Sequence, residues 1–340
     1  MSWSISKFVR SASRRLADFQ VRAPAAVLCI AILVAGAFLL VRAIPGEKFV
    51  EYRMDEPQDA PIAIAAGADG SIWFTIDHAD AIGRVRNGRI ERLRTPNRNT
   101  EPLGLAVAAD GSAWYTDLAA RAITRVSSGG EIARFVLDTP ITRLGRLAIA
   151  PDGAAWFADL TGYGVTRLKA GVFTRHQIES ARGGPYGIAV STDGAVWATL
   201  QNGNQLLRVA ADGTGKTFDI PSGGAVPTDV AAGSDGSVWF LQFRANRIGH
   251  FKDGQFSDIE VGQENTGLSG ISIAPNDDVW FGMMRRASLG RLRNGRIAVF
   301  PLPRGNARPF SVAVDRDGNV WYADISGFVG MLPAKEAGAP

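Results

Sequence analysis

Seven tryptophans, at positions 73, 114, 156, 197, 239, 280 and 321, follow one another at intervals of 41 or 42 residues. An interval kept this closely over about 250 residues means one structural unit used seven times. Four residues before each Trp stands an acid or its amide: Asp69, Asp110, Asp152, Asp193, Asp235, Asn276 and Asp317. Gly follows it in every case except at Asn276, where Asp277 stands. Asp-Gly and Asn-Gly pairs tolerate positive φ and favour tight hairpin turns. A short apolar segment precedes each turn, as in Gly187-Ile188-Ala189-Val190, and another begins nine residues after the Trp, as in Ile82-Gly83-Arg84-Val85. A second turn, such as Asn87-Gly88, leads to one more apolar strand. The unit therefore reads as four short antiparallel strands, the length and strand count of one propeller blade.

Such a sheet cannot bury both faces alone, but seven around an axis can, with each Trp wedged against the next blade. The expected fold is an all-β, seven-bladed propeller over residues 49–332. The last repeat has room for only three strands, ending with 327–332. The unused alternating stretch 49–54 is expected to supply the fourth and so remove the open sheet edges. A polar tail, 333–340, follows.

The N-terminal segment has a different character. Residues 1–22 form a basic tail, and residues 23–41 contain no charge. Nineteen residues at about 1.5 Å each reach roughly 28 Å as a helix, close to the hydrocarbon thickness of a bilayer. The positive-inside rule then predicts a signal-anchor in the inner membrane, with the N-terminus in the cytoplasm and the body in the periplasm or outside. A cleaved signal peptide is the rival reading, with Val41-Arg42-Ala43 as a weak cleavage site. Residues 42–48 are the linker. The only cysteine, Cys29, lies in mid-span, so the body is cysteine-free.

The chain carries a formal charge of +4, but six of its 37 basic residues and one of its 33 acidic residues lie in the first 44. The body then holds 31 basic and 32 acidic residues. Phosphate-binding surfaces need positive charge clustered on the folded domain, so nucleic acid is not an expected partner. The stretch Ala210–Thr217 fits the loose phosphate-loop pattern but falls on a hairpin, with no helix after it to hold phosphate.

The stretches PLGLAVAADGSAWYTD (102–117), PYGIAVSTDGAVW (185–197) and RANRIGHFKDGQF (244–256) resemble the repeat of the streptogramin (virginiamycin B) lyases, which are seven-bladed propellers. The resemblance covers about residues 48–332. It implies a magnesium-assisted elimination that opens a cyclic depsipeptide at its ester. It also implies histidines in the slot after the repeat Pro and a glutamate three residues after the Trp. Here the first slot holds Ile62, Leu103, Gly145, Tyr186, Thr228, Ser269 and Phe310, and the second holds Ile76, Asp117, Asp159, Leu200, Gln242, Met283 and Asp324. Neither contains the implied residue. Thr228, Ser269 and Met283 cannot act as a general base near neutral pH.

Other residues on the same face remain candidates. Asp117, Asp159 and Asp324 occupy equivalent slots, with Gln242 in the same slot of blade five, and Tyr186, Asp229 and Arg146 belong to the opposed loops. Acids converging on an axis repel unless a cation lies between them, so the three aspartates are candidate ligands for Mg²⁺ or Ca²⁺; a hydrated channel is the alternative. His78, near Asp77 and Asp80, is the one imidazole expected on this rim and a candidate base. Two functions stay open. One is a membrane-tethered binding module for a small polar ligand or an envelope protein. The other is a diverged virginiamycin B lyase-like or lactone- or ester-cleaving enzyme that uses a divalent cation on the rim.

Overall fold

The computed structural model describes residues 48–338, apart from 78, 80, 96–101, 138–142, 161–162, 180 and 263. The chain divides into two units, Met1–Val50 and Glu51–Pro340, and the fold described here is that of the second. The 23–41 segment and most of the 42–48 linker lie outside the described residues. Among those described, no helix is long and apolar enough to cross a membrane.

Seven four-stranded antiparallel sheets make up the unit. In six of them the strands run in chain order. The innermost strands are Ala60–Ala66, Pro102–Val107, Leu144–Ile149, Pro185–Val190, Pro227–Ala232 and Leu268–Ile273 for blades one to six. Blade seven combines Pro309–Val314, Val320–Asp324 and Phe328–Leu332 with Val50–Arg53 as its outermost strand. A short helix, Ala334–Ala337, follows the last strand.

Apolar residues seal the joints between blades. Trp73 packs with Leu105 and Tyr115 of blade two, and Trp114 with Leu147 and Phe157 of blade three. Trp321 closes the circle against Ile64 and Phe74 of blade one. The residue after the Trp explains the recurring Gly of the next strand. The Phe74 ring lies so flat on Gly83 that a Cβ there would come within 2.0 Å of it.

In blades two, three and four the Asp before the Trp has a role beyond its turn. In five blades the Trp faces an Arg of the next strand, as in Trp114–Arg125, Trp156–Arg167 and Trp197–Arg208. Those guanidinium groups lie 5.8, 5.8 and 5.9 Å from the ring centres, within cation–π range. The same arginines pair with Asp110, Asp152 and Asp193 at 2.7, 2.6 and 2.7 Å. In blade five His250 stands in for the Arg, 4.2 Å from the Trp239 ring centre, and Lys252 pairs with Asp235 instead. In blade six Asn276 cannot form an ion pair, and Arg291 donates to the Ala337 carbonyl of the C-terminal helix.

Candidate functional site

Each innermost strand slips register against its neighbour just after its first residues. The slip falls between Leu144 and Leu147 in blade three, Pro185 and Ile188 in blade four, and Pro227 and Val230 in blade five. A bulge bends the strand and re-aims a side chain. In this chain it governs the slot residue and the one after it. Around the ring the second of these positions is Ala63, Gly104, Arg146, Gly187, Asp229, Gly270 and Ser311. Five of the seven are small, and the other two, Arg146 and Asp229, are charged.

Arg146 is 8% exposed. Its guanidinium lies 3.7 Å from the Asp229 carboxylate of blade five and 5.8 Å from the Phe310 ring of blade seven. It also hydrogen-bonds the Tyr186 side chain of blade four. Burial acts to lower its pKa, but the Asp229 charge and Tyr186 outweigh it and raise the value, so the cation is firmly held. Asp229 accepts from the backbone N–H groups of Val230 at 3.2 Å and Ile271 at 3.4 Å. Residues from four blades thus converge on one guanidinium. Tyr186, Thr228, Ser269 and Phe310, the slot residues of blades four to seven, are all partly exposed.

The slot carboxylates are elsewhere. Asp117, Asp159 and Asp324 are 1%, 0% and 0% exposed, and Gln242 is 1% exposed. Asp117 accepts from the Ala120 N–H at 3.0 Å. Asp159 pairs with Arg175 of its own blade's outer strand at 2.8 Å. Gln242 hydrogen-bonds Asp258, again within one blade. Asp324 accepts from the Arg308 and Ser326 N–H groups at 2.9 and 2.8 Å and pairs with Arg304. The three aspartates are therefore held inside separate blades and do not meet at the axis. Among the described residues, no group of three or more His, Cys, Asp or Glu could hold a metal ion. His78 lies outside the described residues.

Divalent cations are a poor match for the central cluster too. Its single carboxylate already faces a buried guanidinium, which repels a second cation. Thr228 and Ser269 are neutral, and Ser269 Oγ is taken up by the Pro309 carbonyl at 2.5 Å. Arg146, Asp229 and Tyr186 were expected on this face. Phe310 appears in the sequence only as a slot occupant, and nothing there signals that Arg146 would reach across the ring to it. Ala210–Thr217 forms a turn leading into the strand Gly215–Asp219, with no helix behind it.

The sequence profile of the virginiamycin B lyase family matches residues 37–170 and 90–337. A virginiamycin B lyase from Nocardia farcinica is 32% identical over 217 residues, 64% of this chain and 75% of that protein. A solved streptogramin B lyase superposes with a TM-score of 0.80 at 26% identity, over 83% of this chain and 96% of that one. A catalytically inactive virginiamycin B lyase from Staphylococcus aureus, solved with quinupristin, shares the fold. Its TM-score is 0.79 at 24% identity, over 83% of this chain and 98% of that one.

Proposed function

The chain belongs to the virginiamycin B lyase family, and we propose that it serves as a ligand-binding propeller and not as a ring-opening lyase. One observation carries this reading. The slots where the family's chemistry calls for imidazoles and a glutamate hold Thr228, Ser269 and Met283, the last of them fully buried, and an Arg146–Asp229 pair links blades three and five. General acid–base catalysis contributes about 10²–10⁴ in rate and needs a group that titrates near the working pH. A hydroxyl and a thioether do not, and a guanidinium stays protonated.

The same central group is suited to binding. Tyr186 and Phe310 offer aromatic faces, and the charged pair offers a donor and an acceptor whose positions are set by strand bulges. Residues 23–41 are the proposed inner-membrane anchor, which would present the propeller outside the cytoplasm to a small polar ligand or an envelope protein. The uncharged span and the basic tail before it support this placement.

The test is incubation of the chain with quinupristin and Mg²⁺. Elimination leaves the mass unchanged, so opened and closed rings are separated by chromatography. The expected result is an intact ring. Opening that depends on Mg²⁺ would overturn the binding reading.

A further inference from the structure

The central charge pair is short of partners. Arg146 is more than nine-tenths buried, yet its Nε has no hydrogen-bond partner. The 3.7 Å to Asp229 is an ionic contact, longer than a hydrogen bond. The hydroxyl of Thr228, which precedes Asp229 in the chain, is also buried without a partner. Buried charges are stable only when hydrogen bonds fill their remaining sites. This pair therefore has one free guanidinium N–H and one free hydroxyl, along with an acceptor whose backbone donors sit at 3.2 and 3.4 Å.

Resting on the binding reading above, we infer that the channel mouth takes an α-amino carboxylate with an apolar or aromatic side chain. The carboxylate accepts from the Arg146 guanidinium and the Thr228 hydroxyl. The adjacent ammonium donates to Asp229, and Phe310 and Tyr186 flank the side chain. A simple anion would face the Asp229 charge and a simple cation the Arg146 charge. A zwitterion with its charges two bonds apart satisfies both, so discrimination comes from repulsion as much as attraction.

The experiment is calorimetric titration of the full chain with L-phenylalanine, N-acetyl-L-phenylalanine and L-phenylalaninamide. The expected result is one site for L-phenylalanine, with removal of either charge weakening binding about tenfold or more, the loss of one charge-assisted contact. Asp229→Asn should bring the N-acetyl compound level with the amino acid. Arg146→Gln should do the same for the amide. A change in which ligand charge matters is a readout that loosened folding cannot mimic. Absence of binding by all three probes overturns the inference. Equal binding of the three overturns it as well while leaving a binding mouth in place. Mg²⁺-dependent opening of quinupristin removes the binding reading and this inference with it.

Discussion

Replacing Arg304 with Met should unfasten the blade that closes the ring. Arg304 Nε donates to Glu51 Oε2 at 2.9 Å, Nη2 to Glu51 Oε1 at 3.0 Å, and Nη1 to Ser326 at 2.8 Å. It also pairs with Asp324, whose side chain is 0% exposed, and lies over the Phe328 ring. Glu51, 15% exposed, takes a further hydrogen bond from the Tyr322 hydroxyl at 2.7 Å. Met keeps the apolar stem and deletes the charge, leaving two carboxylates close together. Removing one partner of a buried pair costs about 3–5 kcal/mol. A domain of this size loses roughly 2 °C per kcal/mol, so the melting temperature should fall by about 6–10 °C. The control is Arg182→Met, which breaks a pair with Asp219 whose side chains are 62% and 70% exposed. Exposed pairs contribute about 0–1 kcal/mol, so the control should move by about 2 °C at most. Adding Asp324→Asn to Arg304→Met should restore part of the loss, because it removes the stranded charge. Scanning calorimetry reads all three. Equal shifts for Arg304→Met and Arg182→Met would refute the reasoning.

Acid should destabilise the propeller in two stages. His176 and His250 both have pKa values below 6.5 because burial disfavours their charged forms; their contribution is full above about 6.5 and is lost as the pH falls through the lowered folded values. Asp152 is held at about 2 against an ordinary 3.8, chiefly by the Lys169 hydrogen bond, and Asp110, Asp193 and Asp235 are also lowered, first by Ser112, Ser191 and Lys252. Their contribution is full above about 4 and is lost as the pH falls through the folded values. His176→Gln with His250→Gln should remove the upper stage alone, and a melting temperature that rises from pH 7 to 5.5 would refute the sign. For the anchor, a reporter fused after residue 340 should be active only outside the cytoplasm, and activity inside would reverse the proposed orientation.

The fold was legible because one feature recurred. A Trp, a turn acid and an apolar strand at fixed spacing fix strand length, strand count and blade number together. The spare stretch before blade one pointed to the strand that completes blade seven. The charges were harder to read. Asp159 and Asp324 stand at equivalent places on second strands, and sequence says that they match but not which way they point. Their partners, Arg175 and Arg304, come from an outer strand and from a connecting loop, with no shared spacing to announce them. Arg146 and Asp229 could be placed on the right face. Their meeting depends on the bulges and on Gly187 between them, and a bulge leaves no mark in an alternating apolar pattern.

The provenance of the last blade orders the events of synthesis. Six sheets are built from consecutive residues and can zip up locally as the chain lengthens. The seventh needs Val50–Arg53 from one end and Phe328–Leu332 from the other. Until residue 332 has emerged, the nascent protein is an arc with two open flanks, each a template for foreign strands. Joining them closes a loop of more than 270 residues, the slowest kind of contact to form. The half-made chain therefore depends on being shielded for nearly the whole of its elongation, and a stop codon before the Phe328–Leu332 strand would yield a horseshoe instead of a slightly shortened ring.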